Sequence, residues 1–425
     1  MSPGFALRKA KCKHKFVCTI GILLYSFGVR LAAFFGHAKA RQMVRGWLNT
    51  PFSEYRFPFY NRPTVWFHAS SLGEFEQARP VMERYRQLHP DHRILLTFFS
   101  PSGFEVRKNY EGADAVCYLP PDTLKNARQL VAVVHPVAVF FVKYDFWFNY
   151  LHELRDKNVP IYLFSAIFRP QQYFFRPWGG WYLQKLRDCY RHIFVQDEAS
   201  LQLLQQHGVT RCSIAGDTRF DRVHQIAQSA EGNSVVEEFL KGYSGKVLVC
   251  GSTWLPDEKI LAKTSSNTWW PERVIMAPHV ISEEHLKQIE TLFPDSVRYS
   301  SLSKEPKAAK VLIIDNIGML AKLYRYADVA YIGGGFGVGI HNILEAVTFG
   351  KPVIFGPNYR KFKEARDIIA RGGGWSVKSC KELTTGCLDR LLTDPDAYST
   401  ASQACREYME ENLGSTDIII RTVES

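Results

Sequence analysis

Residues 64–100, TVWFHASSLGEFEQARPVMERYRQLHPDHRILLTFFS, decide the fold of the first half of the chain. Two apolar, β-rich runs, TVWFHAS (64–70) and RILLTFFS (93–100), enclose a stretch with helical periodicity at 75–88. A strand, a helix and a second strand in this order predict a βαβ unit with parallel strands. The stretch therefore predicts a parallel sheet with helices on its faces.

The same alternation extends along the chain and restarts once. Further strands are predicted at 137–144, 161–167 and 192–197, and helices at 122–134, 147–157 and 198–207. After a polar stretch with three glycines, the rhythm returns with strands at 246–253, 273–279, 310–315, 328–335 and 351–357. This pattern predicts an N-terminal segment and two Rossmann-like domains that face each other across a cleft. The predicted boundaries are 1–48 for the N-terminal segment, 49–224 for the first domain, 225–245 for a linker and 246–425 for the second domain. The last helix of the second domain is expected to pack back on the first domain.

Composition is consistent with two domains and favours an anionic partner. A chain of 425 residues is too long for one compact core, and its hydrophobic content of 46% describes a globular protein. The formal net charge of +11 favours nucleic acid, a membrane surface or a phosphorylated substrate as partner. The nine cysteines occur singly, so we expect reduced thiols rather than a disulfide framework or a zinc cluster.

The N-terminus combines basic and apolar residues. RKAKCKHK (8–15) precedes the apolar run FVCTIGILLYSFGV (16–29), which ends at Arg30 and is followed by LAAFFG (31–36). This run is shorter than the ~20 apolar residues that span a bilayer. We therefore expect a helix that lies on a membrane with its lysines and arginines at the lipid headgroups, the alternative being a buried helix.

Glu74 is the first candidate for chemistry, because ligands of parallel sheets bind beyond the carboxyl ends of the strands. It follows the strand 64–70, Gly73 is expected to allow a tight turn, and a helix is expected to begin near Phe75. The positive end of that helix would favour an ionised carboxylate by about 0.3–1 kcal/mol. Such a carboxylate can act as a general base. A glutamate that merely starts a helix is the alternative.

The glycine-rich IGGGFGVGIHNILEA (332–346) is the second candidate. It follows a predicted strand and is expected to open a helix whose N-terminus could hold phosphate, with Glu345 accepting hydrogen bonds from a ribose. No G-x-G-x-x-G or G-x-x-x-x-G-K-[ST] frame closes, which argues against a dinucleotide fingerprint and a P-loop. A glycine-rich junction needed only for close packing is the alternative. GSTW (251–254) and APH (277–279) add hydroxyls and a histidine at strand ends, and Arg219 could grip a carboxylate.

Taken together, WFHASSLGE, GDTRFD, GSTW, APH, DNIGML (315–320) and GIHNILEA…GKPVIFGP resemble the 3-deoxy-D-manno-octulosonic acid (Kdo) transferases of lipopolysaccharide synthesis. The resemblance runs from about residue 24 to about 375. It implies a GT-B glycosyltransferase fold that moves Kdo from CMP-Kdo to a lipid A precursor at the cytoplasmic face of the bacterial inner membrane. It implies no nucleic-acid partner and no cofactor. Because CMP leaves as a monophosphate, no divalent metal is expected.

The resemblance also implies roles for particular residues. Glu74 matches the catalytic base. The donor side comprises Ser252, Thr253, Pro278, His279, Gly318, Met319, Gly334, Gly335, His341, Asn342 and Glu345, with Arg219 expected to bind the carboxylate of the donor. The acceptor side comprises Ser70, Ser71, Gly73, Lys143, Asp145 and Arg169. VKYDFWFN (142–149) departs from the M-E-T-E-L-W-P-N of many members, with Lys143 at the first acid and Asp145 at the second. The donor side is therefore kept better than the acceptor side.

Three other functions are compatible with the pattern. They are another GT-B enzyme that uses a UDP-sugar, a nucleotide-sugar epimerase, and a non-catalytic basic protein that binds nucleotide or nucleic acid at a membrane. Glu74 separates the last of these from the enzymes, because a binding module has no use for a general base.

Overall fold

The computed structural model describes residues 3–49, 62–177, 179–302 and 309–425, with side chains from residue 19 onward. The chain divides into two compact units, Met1–Arg222 with Gly414–Ser425, and Val223–Leu413. Each unit is built on a seven-stranded sheet in which all pairings are parallel. The predicted α/β class with two Rossmann-like sheets is confirmed.

The sheet of the first unit has the strand order β3-β2-β1-β4-β5-β6-β7. Its strands are β1 Thr64–Ala69, β2 Arg93–Phe98, β3 Ala115–Tyr118, β4 Pro136–Val142, β5 Ile161–Ala166, β6 His192–Val195 and β7 Cys212–Ile214. The order reverses between β1 and β4, and in such sheets the crevice beyond the carboxyl ends at this point is where ligands bind. Glu74 follows β1 and Asp145 follows β4, so the topology brings both to this switch point.

Helices cover both faces of the first sheet. Its α-helices are α1 Pro3–Phe34, α2 Ala38–Leu48, α3 Leu72–Leu88, α4 Pro101–Arg107, α5 Leu124–Val134, α6 Phe148–Asp156, α7 Gly180–Cys189, α8 Glu198–Gln206 and α9 Arg219–Gln228. Successive residues of β1 point to opposite faces, so Trp66 packs in one core with Phe141, and Phe67 packs in the other with Phe140. Both faces are apolar, as expected of a parallel sheet.

The sheet of the second unit has the order β10-β11-β9-β8-β12-β13-β14. Its strands are β8 Val247–Thr253, β9 Arg273–Pro278, β10 Ser296–Arg298, β11 Val311–Ile313, β12 Val329–Ile332, β13 Val353–Phe355 and β14 Gly374–Ser376. The remaining α-helices are α10 Ser234–Phe239, α11 Leu255–Thr264, α12 Glu283–Leu292, α13 Leu320–Leu323, α14 Leu344–Val347, α15 Lys363–Ala370, α16 Cys380–Leu383, α17 Asp389–Thr393, α18 Pro395–Asn412 and α19 Ser415–Glu424. Here the order reverses between β8 and β12, which sets the second switch point.

The last helix, α19, belongs to the first unit. Ile419 and Ile420 are buried in the core on the Phe67 side of the first sheet. Asp221 fixes the start of this helix, because its carboxylate accepts hydrogen bonds from the backbone N–H groups of Gly414 (2.8 Å) and Thr416 (2.7 Å). The stretch predicted as a linker, 225–245, contains the end of α9 and the whole of α10.

One local prediction is wrong. Helix α3 begins at Leu72 with Ser71 as its N-cap, not near Phe75, so Glu74 lies within the first helical turn. The glycine-rich stretch is followed by a helix, as expected, but this helix, α14, has only four residues. Phosphate binding at its N-terminus stays a prediction.

Helices α1 and α2 form a bent pair with an apolar surface. Within the described residues no single helix has the length and hydropathy to cross a bilayer; Thr19–Phe34 and Ala38–Leu48 reach them only together, and the two are bent by 119°. Most of the large apolar side chains of this part of α1 are solvent-exposed, as are those of the turn that follows it: Ile20, Leu23, Leu24, Tyr25, Phe27, Leu31, Phe34 and Phe35.

Candidate active site

Two adjacent serines hold two carboxyl groups at the switch point of the first sheet. The Oγ of Ser70 donates a hydrogen bond to Oδ1 of Asp145 (2.5 Å). The Oγ of Ser71 donates to Oε2 of Glu74 (2.7 Å). The serines follow β1 and Asp145 follows β4, so the pairing of these two strands assembles the group. Four of the predicted residues are thereby brought together.

Gly73 leaves the space beside Glu74 open. It lies in the first turn of α3 and has no positive φ, so it is not the turn residue that the sequence suggested. A Cβ built at Gly73 would meet only the Oγ of Ser71, at 4.0 Å. Glu74 itself is half-buried, and its Oε1 has no hydrogen-bond partner among the described residues. A carboxylate oxygen with an open approach is what a general base needs.

Asp145 is buried beside Glu74, where its ionised form is disfavoured. Burial, together with the charge of Glu74, raises the pKa of Asp145 well above its usual range. Its Oδ2 is buried without a hydrogen-bond partner and lies 3.9 Å from Nε2 of His68. Burial lowers the pKa of His68 to about 3, so this imidazole is neutral. Ionisation of Asp145 next to Glu74 is therefore opposed by burial and by the charge of Glu74, and no cationic imidazole offsets either.

A chain of hydrogen bonds sets the tautomer of His68. Trp66 Nε1 donates to Oγ1 of Thr97 (2.8 Å), and the same oxygen lies 2.8 Å from Nδ1 of His68. Because the hydroxyl of Ser70 donates to Asp145, its oxygen accepts from Nε2 of His68, so Nδ1 of the neutral imidazole accepts from Thr97. The proton on Nε2 faces Ser70, whose Oγ is 3.3 Å away. The buried histidine thus positions Ser70 without adding a charge.

Lys143 and Arg169 flank this group. Lys143 directly follows β4 with a φ of +61°, and Ser165 in β5 has a φ of +50°. Left-handed backbone at non-glycine residues costs of order 1–3 kcal/mol and is concentrated at functional sites. Burial raises the pKa of Tyr144, Arg169 lowers it and Glu74 raises it. The charges of Arg169 and Glu74 therefore act on the same phenol.

The guanidinium of Arg219 forms an ion pair within the first unit. Its guanidinium contacts Oδ2 of Asp217 through Nε (2.9 Å) and a terminal nitrogen (2.8 Å), and its backbone N–H donates to Oδ1 (3.0 Å). Burial alone would raise the pKa of Asp217, but the charge and hydrogen bonds of Arg219 outweigh it and lower that pKa. The expected contact of Arg219 with a donor carboxylate remains a prediction.

Three rings stack at the switch point of the second sheet. Trp254 stacks on His279 with ring centroids 4.6 Å apart, and His279 lies 4.5 Å from the ring of His341. The backbone N–H of His279 donates to the carbonyl of Thr253 (2.9 Å), which joins the ends of β8 and β9. Ser252, with a φ of +52°, precedes Thr253. The predicted donor residues on β8, β9 and the glycine-rich segment are therefore neighbours.

The two histidines of this stack are neutral. Burial, together with His279, lowers the pKa of His341 to about 4, and burial also lowers the pKa of His279. Trp254 Nε1 donates to Nε2 of His341 (3.3 Å), so the proton of that imidazole is on Nδ1. The stack offers flat rings and an uncharged N–H donor, which suit a nucleobase or a ribose.

Asp257 ties the stack to the glycine-rich segment, and the sequence analysis missed it. Its Oδ2 accepts from the backbone N–H groups of Trp254 and Gly334, both at 3.0 Å, and its Oδ1 accepts from the hydroxyl of Tyr331 (2.9 Å). Asp257 is buried and occupies the third position of α11. Its spacing of three residues from Trp254, typical of a carboxylate that caps a helix start, was the available signal.

The remaining predicted donor residues lie near this group. Asn342 Nδ2 donates to Oε1 of Glu345 (3.2 Å), and Asn342 Oδ1 accepts from the N–H of Leu344 (3.2 Å). Gly318 is exposed with a φ of +98°, in the turn before α13, and Met319 is the N-cap of that helix. Pro278 ends β9, directly before His279.

The first three glycines of the glycine-rich segment pack closely. A Cβ at Gly333 would lie 2.2 Å from the carbonyl oxygen of Ser252, and one at Gly335 would lie 2.5 Å from the backbone nitrogen of Gly356. Gly334 has a φ of +89°. In contrast, a Cβ at Gly337 would meet only the carbonyl oxygen of Gly334, at 3.6 Å. Close packing explains the glycines up to 335, while Gly337 faces open space.

Alanine substitutions in this segment should therefore show which of its glycines are needed for packing. Gly333→Ala forces backbone atoms apart, and we expect it to lower the free energy of unfolding of the second unit by roughly 1–3 kcal/mol. Gly337→Ala, the matched control, should leave that stability within about 0.5 kcal/mol. Urea unfolding of both variants checks the difference. Equal stabilities for the two variants would contradict the packing role.

In the part of the chain that the structure describes, no group of three His, Cys, Asp or Glu side chains converges as metal ligands. The described cysteines are all free thiols: Cys117, Cys189, Cys212, Cys250, Cys380, Cys387 and Cys405.

Similarity to known proteins indicates a function for the residues at the switch points of the two sheets. Residues 47–222 match the family model described as "3-Deoxy-D-manno-octulosonic-acid transferase (kdotransferase)". The chain is also 26% identical over 392 residues to a Kdo transferase of Chlamydophila psittaci, covering 85% of this chain and 84% of that protein. Over most of its length the chain is similar to Kdo transferases. A Kdo transferase of Bordetella pertussis is 28% identical, with 83% of this chain and 85% of that protein covered.

Solved structures agree in fold. UDP-GlcNAc 2-epimerase from Neisseria meningitidis has a TM-score of 0.60 and 15% identity, with coverage of 85% of this chain and 99% of that one. A glycosyltransferase from Rickettsia africae has a TM-score of 0.55 and 12% identity, with coverage of 86% and 98%. At these identities the likeness shows the fold alone, and it confirms the GT-B-like class.

Proposed function

We propose that this protein transfers Kdo from CMP-Kdo to a lipid A precursor, with Glu74 as the general base. The observation that carries the proposal is the open approach to a carboxylate at the switch point of the first sheet. Ser71 holds one oxygen of Glu74, Gly73 leaves room beside it, and the pKa of the neighbouring Asp145 is raised. We thereby go from similarity to the Kdo transferases to a particular donor, acceptor and base.

The proposed step is an inverting displacement. Glu74 accepts the proton of an acceptor hydroxyl while the oxygen of that hydroxyl forms a bond to the anomeric carbon of Kdo. The bond between the anomeric carbon and the phosphate oxygen of the donor breaks, and CMP leaves with the electron pair. A positioned general base contributes typically 10²–10⁴-fold to such a rate. The expectation that no metal takes part stays a prediction.

The ring stack of the second unit supports a nucleotide donor. Trp254, His279 and His341 present flat, uncharged surfaces at the switch point, where α/β sheets bind nucleotides. Titration of the protein with CMP-Kdo and with UDP-GlcNAc tests which donor is bound. Saturable binding of CMP-Kdo alone supports the proposal, whereas binding of UDP-GlcNAc alone would favour the alternative of a GT-B enzyme that uses a UDP-sugar.

An aromatic chain connects α1 with the Glu74 edge and supports a lipid acceptor. Tyr25 of α1 stacks on Phe99 (5.9 Å), Phe99 contacts Trp147 (4.9 Å), and Trp147 contacts His68 (5.5 Å). His68 is in turn next to Ser70. The apolar surface of α1 is therefore attached to the edge where the acceptor would react. We propose that α1 lies on the cytoplasmic face of the inner membrane, where an acylated acceptor resides.

Membrane binding should depend on the exposed phenylalanines of α1. Phe27 and Phe34 are 66% and 80% exposed, and each fully buried side chain of this size contributes about 1.5–3 kcal/mol. We expect Phe27→Gln/Phe34→Gln to lower binding to phospholipid vesicles at least tenfold in a sedimentation assay. Val106→Gln/Val137→Gln, which alters exposed apolar residues of the same unit, is the control. Removal of residues 1–36 should release the protein fully; sedimentation of that truncated protein at high salt would contradict the proposal.

A further inference from the structure

A basic cavity lies beyond the carboxyl ends of β13 and β14, beside the glycine-rich segment. Its volume is about 700 Å³. Gly337 and Val338 line one side of it, and Arg360, Lys361 and Lys378 line the other. The predicted site residues do not include any of these five. The cavity is therefore a separate feature of the second unit.

The three cations of this cavity are not neutralised by the protein. Arg360, Lys361 and Lys378 are solvent-exposed, and none forms an ion pair with an acid of the described residues. Lys363, two residues after Lys361, instead pairs with Asp367. Three like charges around one concavity repel each other and raise the local concentration of anions. Their arrangement favours an anionic ligand.

The walls of the cavity are held in place. Asn358 donates from Nδ2 to the carbonyl of Gly337 (2.7 Å), and its backbone N–H donates to the carbonyl of Gly335 (2.9 Å). These bonds fix the loop after β13 against the glycine-rich segment. The segment then turns back on itself, because the N–H of Gly339 donates to the carbonyl of Gly334 (3.3 Å). Two residues later it reaches His341. One segment thus carries both a wall of the cavity and a ring of the proposed nucleotide site.

We infer that this cavity binds an anionic group, a carboxylate or a phosphate, of one of the two sugar substrates. The inference rests on the proposed function, because the sugar of CMP-Kdo carries a carboxylate and the lipid A precursor carries phosphates. Arg219, the cation that the sequence suggested for the donor carboxylate, is held by Asp217. The cavity supplies three further cations for such a group. Charge-assisted hydrogen bonds are the strongest that these side chains can make to it.

The test compares two triple variants with the same change in charge. Arg360→Gln/Lys361→Gln/Lys378→Gln removes the cations of the cavity. Lys259→Gln/Lys263→Gln/Lys381→Gln removes three exposed cations of the same unit that do not line it. All six side chains are solvent-exposed, so both variants should fold. Thermal unfolding of each, without ligand, verifies this before substrates are compared.

Steady-state kinetics of transfer then identify the source of the anion. A rise of about tenfold or more in KM for CMP-Kdo, with the affinity for CMP unchanged, assigns the cavity to the sugar carboxylate. A similar rise in KM for the lipid acceptor alone assigns it to an acceptor phosphate. Values equal to those of the control variant for both substrates overturn the inference.

A second readout does not depend on transfer. Inorganic phosphate should raise the thermal midpoint of the wild type and of the control variant, and should raise it less in the cavity variant. If the wild type proves inactive with CMP-Kdo, the proposed function fails, and this readout alone decides the cavity. Equal stabilisation of all three proteins by phosphate would then overturn the inference.

Discussion

Glu74→Gln is expected to lower the turnover of Kdo transfer by about 10²–10⁴-fold while leaving the affinity for CMP-Kdo nearly unchanged. The amide still accepts the hydrogen bond from Ser71, so the local structure is preserved, but it cannot take up a proton. The effect should therefore fall on kcat rather than on KM for the donor. Initial rates and calorimetric titration with CMP-Kdo measure the two quantities separately.

Glu111→Gln is the matched control for this variant. Glu111 is an exposed glutamate of the same unit that makes no side-chain hydrogen bond or ion pair with the described residues. Its substitution should change neither rate nor affinity. Turnover by Glu74→Gln within a factor of three or so of the wild type would refute the assigned role of Glu74. The base would then have to be sought elsewhere, since Asp145 is buried and its hydrogen bond from Ser70 occupies one of its oxygens.

Asp257→Asn is expected to weaken both the stability of the second unit and its affinity for CMP. The amide group must place an NH₂ toward one of the three donors that Asp257 now accepts from, Trp254, Gly334 or Tyr331. A buried N–H left without an acceptor costs about 1–3 kcal/mol. The substitution also loosens the ring of Trp254 from the glycine-rich segment, so we expect the affinity for CMP to fall at least tenfold.

Tyr331→Phe separates these two effects. It removes only the hydroxyl that donates to Oδ1 of Asp257, while both backbone contacts to Oδ2 remain. Stability should fall by about 1 kcal/mol, and the affinity for CMP should stay as in the wild type. Asp257 would be only a structural residue if Asp257→Asn bound CMP as tightly as Tyr331→Phe does.

The strands that were predicted correctly lie in long, continuous apolar runs of the sequence. Strand β1 and strand β2 are six residues each and almost wholly buried, and they were found within two residues of their observed ends. Strands β3, β7, β10 and β14 have three or four residues each and were missed. Strands β11 and β13 are as short but lie within longer apolar runs, and these runs were predicted. Without such a run, three or four residues are too few to show a periodicity, and pairing within the sheet decides whether they become strands.

The start of α3 was misplaced because Gly73 was taken as a turn residue. Glycine is a poor helix former, but the first turn of a helix tolerates it, and the neighbouring residues favour a helix start. Ser71 at the N-cap and Glu74 three residues later fit the capping-box spacing. This signal was present in the sequence and outweighs the single glycine.

The side-chain contacts at the switch points of the two sheets could not be predicted from one sequence. Ser70 and Asp145 are 75 residues apart in the chain, and Gly334 and Asp257 are 77 apart. Their contacts depend on which strands are neighbours in the sheet. Asp145 was nonetheless named, because the resemblance to the family supplied it. Asp257 had no such support, although its chemistry is equally visible once β8 and β12 are paired.

The most direct test is transfer from CMP-Kdo to a tetraacylated, bisphosphorylated lipid A precursor by the wild type, with the product mass recorded. We expect a gain of one or more Kdo residues, released CMP in equal number, and loss of the product in Glu74→Gln but not in Glu111→Gln. Absence of any Kdo adduct, from wild-type protein that binds CMP-Kdo, would contradict the proposed acceptor. Absence of both adduct and binding would contradict the proposed donor as well.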